Sequence, residues 1–92
     1  MKWTVKLTKA AKKQADRWRK PVRQKLAVLL QDIENYGPIR GNWQNYSPLG
    51  ADWHHCHLRK GRPTYVAVWE VKDKEIRLVE VTYAGIHEKA PY

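Results

Sequence analysis

The sequence has a single cysteine, no phenylalanine and no apolar run longer than five residues. Cys56 alone cannot form an intramolecular disulfide or a multi-cysteine zinc site, which favours a reducing cytoplasm as the compartment. A helix that spans a bilayer needs about 20 apolar residues, so we expect no contact with a membrane. The basic start is not followed by an apolar stretch, and we therefore expect no secretory signal.

The chain has the size and composition of one compact domain. Its 92 residues leave no room for two independent cores, and 42% of them are apolar, too many for a disordered chain. We therefore predict a single domain over residues 1–92. All ten aromatic residues are Trp or Tyr. Each has a polar group beside its apolar ring, which suits a surface that binds a partner.

Positive charge is concentrated at one end of the chain. Residues 1–25 hold ten Lys or Arg and one acid, whereas the remaining 67 residues hold eight of each sign. A local positive field of this size favours a polyanionic partner such as nucleic acid. A solvated basic helix that keeps the protein soluble would have the same composition. The candidate RNA-binding cations of this segment are Lys9, Lys12, Lys13 and Arg17.

The first part of the chain predicts a strand and two helices. Apolar residues alternate over residues 2–7, as in a short strand, and Thr8 can cap a helix that follows it. The spacing of Ala11, Ala15 and Trp18 predicts an amphipathic helix over residues 9–19. Pro21 suits the first turn of a second helix, which Gly37 and Pro38 end. Its core stripe consists of Val22, Leu26, Leu29, Leu30 and Ile33.

The rest of the chain predicts a loop and three strands. Residues 37–53 carry Gly, Pro and Asn without a sustained period, so we expect a long loop packed on the body through its aromatic rings. Strands are predicted over residues 54–59, 64–72 and 75–83, with turns at 60–63 and 73–74 and with Gly85 after the last strand. The predicted fold is α+β, in the order β-α-α-β-β-β. Two helices cover one face of a small antiparallel sheet, and the other face is open.

The histidine cluster at residues 54–57 suggests a metal site, but its spacing argues against one. Neighbours on a strand point to opposite faces, so only His55 and His57 could chelate together, which is two ligands short of the usual four. We expect no metal and no cofactor. Cys56 shares a face with Leu58 and is interpreted as a buried apolar residue rather than a nucleophile.

The opposite face of this strand has the groups that phosphodiester cleavage needs. His55, His57 and Arg59 alternate along it, and Lys60 and Arg62 follow in the turn. Arg or Lys can hold a phosphate, and a His can transfer a proton at neutral pH. A polar outer sheet face with no function is the alternative. Past the last strand, the tail adds His87, Glu88, Lys89 and Tyr92, a second group of such residues.

This order of elements, the stretch Leu58–Val71 and the closing Gly85–Tyr92 resemble the RelE/ParE superfamily of bacterial toxins. The resemblance implies a toxin of a type II toxin–antitoxin system, paired with an antitoxin encoded beside it. RelE-like members are endonucleases that cut mRNA in the ribosomal A site and so repress translation. ParE-like members share the fold but inhibit DNA gyrase without cutting RNA. The RelE branch is our first hypothesis.

The resemblance also implies roles for particular residues. Arg59 matches the arginine before the hairpin, His87 the histidine after the last strand, and Tyr92 the terminal aromatic residue. With His57, they are the candidate catalytic residues, and Lys60, Arg62, Lys89 and His55 are the candidate RNA-binding residues beside them. Many members have an arginine just inside the third strand, where this chain has Thr64 and Tyr65. The resemblance leaves open whether Arg62 takes its place.

Two other functions stay open at this point. One is a non-enzymatic gyrase inhibitor, and the other is a protein with the toxin fold that only binds RNA. The expected partners of the first hypothesis are a cognate antitoxin, the ribosome and mRNA, and a homodimer is left open. The histidines favour the RNase, because an inhibitor of gyrase would not need them.

Overall fold

A computed structural model describes residues 2–43, 46–59 and 64–86 of the chain. The predicted turn over residues 60–63 and the tail after Ile86 lie outside these residues. The α+β class and the order of a strand, two helices and a strand-rich remainder are confirmed. The elements are β1 (Thr4–Leu7), α1 (Lys9–Asp16), α2 (Lys20–Tyr36), β2 (Ser47–Pro48), β3 (Trp53–Arg59), β4 (Tyr65–Asp73) and β5 (Leu78–Ile86).

The sheet is mixed and has five strands in the order β1-β5-β4-β3-β2. Strands β3 to β5 form the predicted antiparallel meander, and β2 adds an unpredicted antiparallel strand to its edge, but β1 pairs with β5 in parallel. The expectation of a purely antiparallel sheet is wrong at this edge. Two helices separate β1 from the meander, so no hairpin fixes its direction, and it lies beside the last strand.

The two helices pack on one face of the sheet through the predicted apolar stripe. Thr8 caps α1, because its Oγ1 accepts the Ala11 N–H at 3.1 Å. Helix α1 ends at Asp16 rather than at residue 19, because the N–H groups of Arg17 and Trp18 bond back over three residues and tighten the turn. Neither of the described helices could cross a membrane. The stripe residues Val22, Leu26, Leu29 and Ile33 are buried, and Leu30 is half-buried.

The predicted loop over residues 37–53 packs on the body as expected, but it contains a strand. Ser47 and Pro48 pair with His55 and His54 and form β2, which is too short to show a period in the sequence. The Trp43 indole N–H donates to Asp32 of α2 at 2.9 Å. The loop therefore crosses from the end of α2 to the edge of the sheet.

The last strand begins and ends later than predicted. The Asp73 carboxylate accepts the N–H groups of Glu75 and Ile76, and this extends the turn through Arg77, whose φ is 54°. At the other end, Gly85 does not stop the strand; it lies inside β5 opposite Val66. The pairing also shifts by one residue between Val81 and Tyr83, a β-bulge that the period-two interpretation of this segment did not predict.

A cluster of three rings holds the loop on the sheet. Tyr46, His54 and Trp69 contact one another, with ring centroids 5.8, 5.9 and 6.0 Å apart. The Tyr46 hydroxyl bonds His54 Nδ1 at 2.7 Å, and the Trp69 indole N–H donates to the Pro38 carbonyl at 3.0 Å. Burial lowers the pKa of His54, although Asp52 nearby opposes the shift. The imidazole of His54 in this ring cluster is therefore neutral at pH 7.

We predict that acid weakens the fold through His54. Since its pKa in the fold is lower than the ordinary value of about 6.5, the unfolded chain binds this proton more tightly. The stability from neutral His54 is present above pH 6.5 and is lost as the pH falls towards the lowered pKa. The melting temperature should fall less between pH 7.5 and pH 5 in His54→Phe than in the wild type. Equal decreases in melting temperature would show that His54 is not responsible for the acid sensitivity, because the other histidines are the same in both proteins.

Candidate nucleic-acid interface

The cations of helix α1 lie on its solvent side. Ala11 and Ala15 face the core, which turns the rest of the helix surface to solvent. Thr8 fixes the start of the helix, and with it this orientation. The structure therefore exposes all four candidate RNA-binding residues of this segment, Lys9, Lys12, Lys13 and Arg17.

Helix α2 continues the same basic surface. Lys20, Arg23 and Lys25 are exposed on its first half. Within residues 2–43, 46–59 and 64–86, none of the ion pairs involves a cation of α1 or α2. The positive field of the two helices is thus not neutralised by carboxylates of the described chain, and it can attract a polyanion.

The outer face of the sheet, opposite the helices, differs in charge between its two ends. Trp53, His55 and His57 of β3 face outwards, as do Val66, Val68 and Glu70 of β4 in the same register. At the Trp53 end, Glu70 pairs with Glu80 across β4 and β5, and Lys72 contacts both carboxylates at 3.1 and 3.8 Å. The carboxylates repel a phosphate there, so the histidine end is the one suited to nucleic acid.

His55 and His57 are neighbours on this face but differ in their surroundings. Their ring centroids are 5.5 Å apart. His55 is buried, and its Nδ1 bonds the Ser47 carbonyl of β2 at 3.1 Å, so this ring helps to fix the short edge strand. His57 is half-buried and lies beyond the end of β2. Of the two, His57 has the better access to a substrate.

His57 borders a small pocket of about 230 Å³ at the uncovered edge of β3. Lys25 of α2 enters this pocket from the helix side, and Asn42 and Trp43 form its loop side. The Trp43 indole is fixed by Asp32, as described above. An imidazole, an ammonium, an amide and an aromatic ring therefore border one open pocket, a set that can bind a phosphate and a base.

Lys25, Asn42 and Trp43 were not candidates from the sequence. Lys25 was counted only as one of the ten cations of residues 1–25. Its electrostatic effect on Cys56 shows that its ammonium lies near β3. Asn42 and Trp43 belong to a loop without a period, and no spacing in the sequence connects them to a strand. Only the contact of Trp43 with α2 brings them to this edge.

The other catalytic candidates are placed only in part. Residue 59 is the last of β3, and it pairs with Tyr65, which pairs in turn with Ile86 at the end of β5. Lys60, Arg62, His87, Lys89 and Tyr92 lie outside the described residues. The register therefore brings the backbone at 59 and 86 to one end of the sheet, about two strand spacings or 10 Å apart.

The outer face is less open than predicted. Val66 and Val68 are 0% and 1% exposed, and His55 is 9% exposed. The sequence interpretation left this whole face to solvent, and that was wrong for its middle. A strand that is buried on both faces has a continuous apolar run, and residues 65–69 of β4 are such a run.

Cys56 lies on the helix side of β3 and has no exposed surface. Burial raises the pKa of its thiol to about 11, although the charge of Lys25 opposes the shift. Its interpretation as a buried residue is confirmed. Within the described part of the chain, no three His, Cys, Asp or Glu side chains are grouped so that they could hold a metal.

Comparison with solved structures identifies the fold. A mutant of the E. coli toxin RelE in the free state superposes with a TM-score of 0.75 at 22% identity, over 98% of this chain and 88% of that one. RelE in the archaeal RelE–RelB complex of Pyrococcus horikoshii gives 0.74 at 14% identity, over 98% and 100%. The intact E. coli RelBE complex gives 0.71 at 23% identity, over 95% and 99%. No protein-family model and no curated sequence matches the chain.

This chain has the RelE fold. The resemblance drawn from the sequence is thus confirmed at the level of structure, across nearly the whole chain. Identities of 14 to 23% carry the architecture but not the activity. The function of this chain therefore depends on which residues it places on the RelE fold.

The last strand of the RelE fold brings Tyr83 to the outer face. The bulge between Val81 and Tyr83 reverses the alternation, so the residues from Tyr83 onwards point to the opposite faces from those that a regular strand would give. The Tyr83 hydroxyl donates to the Ile86 carbonyl at 2.8 Å. Its ring crosses Gly85, where a Cβ would lie 2.6 Å from the hydroxyl oxygen. Gly85 therefore allows Tyr83 to fix the end of β5.

We predict that Gly85→Ala destabilises the protein through Tyr83. The methyl group must displace the Tyr83 ring, which at overpacked sites typically costs about 1–3 kcal/mol of the free energy of unfolding. Urea denaturation of Gly85→Ala, Tyr83→Ser and the double variant measures the coupling of the two sites. In the Tyr83→Ser background, Gly85→Ala should lower the free energy of unfolding by much less. An equal decrease in both backgrounds would show that the Tyr83 ring is not what excludes the methyl group.

Proposed function

We propose that this protein is the toxin of a toxin–antitoxin pair and represses translation by cutting mRNA on the ribosome. One observation carries the proposal: residue 59 and Ile86 lie at the same end of the sheet, on either side of Tyr65. His87 is the next residue in the chain after Ile86. We therefore assign phosphate binding to Arg59 and proton transfer to His87, next to the backbone positions 59 and 86 that the register brings to this end of the sheet.

The chemistry of the proposed cleavage needs no group from outside the chain. The 2′-hydroxyl of the message attacks the adjacent phosphorus, and a cyclic phosphate and a 5′-hydroxyl result. His57 and His87 are the candidates for general base and general acid. Arg59, with Lys60 or Arg62, would neutralise the charge that develops on the phosphate. Tyr92 would stack on a base or orient it, and His55 and Lys89 would contribute to RNA binding.

The pocket at the edge of β3 supports a substrate position beside His57. Lys25 offers a cation there from the helix side, and Trp43 offers a ring on which a base could stack. The basic surface of α1 and α2 would hold ribosomal RNA, which has a phosphate backbone and needs no sequence-specific contact. An RNA substrate of this kind, together with a single buried thiol, fits the cytoplasm.

A cognate antitoxin would have to cover part of this basic surface. The E. coli and Pyrococcus horikoshii structures named above include complexes of a RelE with RelB. In this chain, a groove of about 400 Å³ lies between α1 and α2, and its lining includes Leu7, Leu26 and Leu30 together with the charged residues Lys12, Arg23 and Asp16. An apolar groove with two cations and one acid fits an acidic amphipathic helix of an antitoxin.

We predict that His87→Ala and Arg59→Ala abolish cleavage of mRNA on programmed ribosomes. Loss of a general acid or base typically lowers the rate about 10² to 10⁴-fold. Arg59→Lys should recover only part of the activity, since an ammonium cannot form the bidentate contact of a guanidinium. The measurement is single-turnover cleavage, with thermal melting as the folding control. Ribosome binding by His87→Ala should be nearly unchanged, because one histidine contributes little to a large polyanion contact.

The matched control for these variants is Lys74→Ala, since Lys74 is exposed at the opposite end of the sheet. It should cleave like the wild type. Full activity of a folded His87→Ala and Arg59→Ala double variant would place the site elsewhere. Inhibition of DNA gyrase by the wild type, with intact messages and early DNA damage in cells, would instead support the ParE-like alternative. Ribosome binding without cleavage would support the protein that only binds RNA.

We predict that the α1 cations hold ribosomes or RNA electrostatically. Reversing Lys9, Lys12, Lys13 and Arg17 to Glu should weaken binding and reduce the slope of log K against log salt by about one unit for each phosphate that the protein no longer neutralises. The four side chains are exposed, so the fold should survive. Binding isotherms at several salt concentrations measure this effect. An unchanged affinity would show that the basic surface serves solubility alone.

A further inference from the structure

A second cleft lies at the other end of the sheet from His57. It has a volume of about 520 Å³ and opens between the end of α2 and the β4–β5 turn. The sheet contributes the outer edge of His54 and the side chain of Val71 to its floor, and residues 36–39 form one wall. His54 lines the cleft and lies three residues before His57 in β3, so the two side chains are about 10 Å apart along the strand. The proposed cleavage uses none of its lining residues.

The mouth of the cleft exposes an unusual amount of apolar surface. Tyr36 and Ile39 line it and are 71% and 67% exposed, and Ile76 in the adjoining turn is 67% exposed. Arg40 lies over the Tyr36 ring, 5.5 Å from its centroid, and so helps to hold the ring at the mouth. Exposed apolar residues that cluster at a concave site, rather than being scattered, indicate a binding surface.

The walls of the cleft are held by specific contacts. Gly37 has a φ of 99°, and a Cβ there would lie 3.2 Å from the Trp3 indole nitrogen. The glycine thus lets the Trp3 ring, which also lines the cleft, lie against the backbone. The bond from Trp69 to the Pro38 carbonyl holds the same wall to the sheet. The cleft is therefore formed before any partner binds, which lowers the entropic cost of binding.

The polar groups of the cleft favour an anion. Lys74 and Arg77 line it, and no carboxylate of the described chain does so. Lys74 contacts the Asp52 carboxylate beside the cleft at 3.6 Å, but this pair is exposed and therefore weak. Two cations thus border an apolar surface.

We propose that this cleft binds an acidic linear segment of a partner protein, through a bulky apolar side chain next to a carboxylate. The apolar side chain would contact Tyr36, Ile39 and Val71. The carboxylate would meet Lys74 and Arg77. Because the cleft shares no lining residue with the pocket at His57, the partner could bind while the cleavage site is occupied.

The probe for this proposal is the peptide acetyl-Glu-Asp-Leu-Leu-Glu-Asp-amide, titrated into ¹⁵N-labelled full-length protein. Its addition should shift the Gly37 and Ile39 amide signals and the Trp3 indole signal saturably, and higher salt should weaken it. Two matched peptides serve as controls, one with both Leu replaced by Ser and one with all four acids replaced by Lys. Neither should give saturable shifts at these signals.

Two variants test the apolar and the charged contacts separately. Ile39→Ser should raise the dissociation constant about tenfold, since it removes an exposed apolar contact without disturbing the core. Lys74→Glu combined with Arg77→Asn should abolish the salt dependence, and Asn tolerates the positive φ of residue 77. The matched controls are Val28→Ser and Lys20→Glu, exposed changes on α2 outside the cleft. Both should bind the peptide like the wild type.

The outcomes of these experiments distinguish an acidic peptide from other occupants of the cleft. The absence of saturable shifts with the acidic peptide at millimolar concentration would overturn the proposal. An equal loss of peptide affinity in Ile39→Ser and Val28→Ser would overturn it as well. Dimerisation through the same surface, seen by sedimentation as an association that Ile39→Ser abolishes and the peptide does not compete with, would also overturn it. The peptide titration does not depend on RNA cleavage, so its result stands whether or not the proposed function holds.

Discussion

The position of Trp69 determines most of the functional surface. Its ring is fully buried in the middle of the sheet, and its single N–H reaches the Pro38 carbonyl just after α2. A buried indole N–H without a partner would be costly, so the segment after α2 is held against the sheet. The same ring stacks on His54, and His54 bonds Tyr46. This one buried donor thus helps to position residues 37–43, which contribute Pro38 to the cleft beside Trp3 and Trp43 to the pocket beside His57.

Strand β3 connects these two ends and divides its residues between two surroundings. His54, Cys56 and Leu58 belong to the packed side, where burial disfavours charge, and His55 and His57 face outwards. Three histidines of one tetrapeptide therefore serve differently: one is a core ring, one fixes an edge strand, and one borders a pocket with Lys25. The type of residue alone does not show which histidine can take part in proton transfer; its neighbours and its burial do.

The sequence was informative wherever a period or a cap was present. The helices, their buried stripe and the faces of β3 follow from spacing, and Thr8 caps α1 as predicted. The two-residue strand β2 is too short for any period, and its existence depends on Ser47 meeting His55. The bulge before Tyr83 reverses the alternation, and nothing in the composition of β5 marks it. Lys25 joins His57 only because α2 crosses the edge of β3, a tertiary contact that no local pattern contains.

The parallel pairing of β1 with β5 joins the first and the last strand of the described residues. Thr4 meets Leu78, so β1 has no sheet neighbour until the roughly 70 residues between them have been synthesised. Contacts of such long sequence separation form late in folding and slow it. A nascent or truncated chain that lacks β5 would leave β1 unpaired and α1 without the strand on which it packs. The topology thereby prevents the described fold from being completed before β5 has been synthesised, so the helices and β3–β4 must wait for that strand to close the sheet.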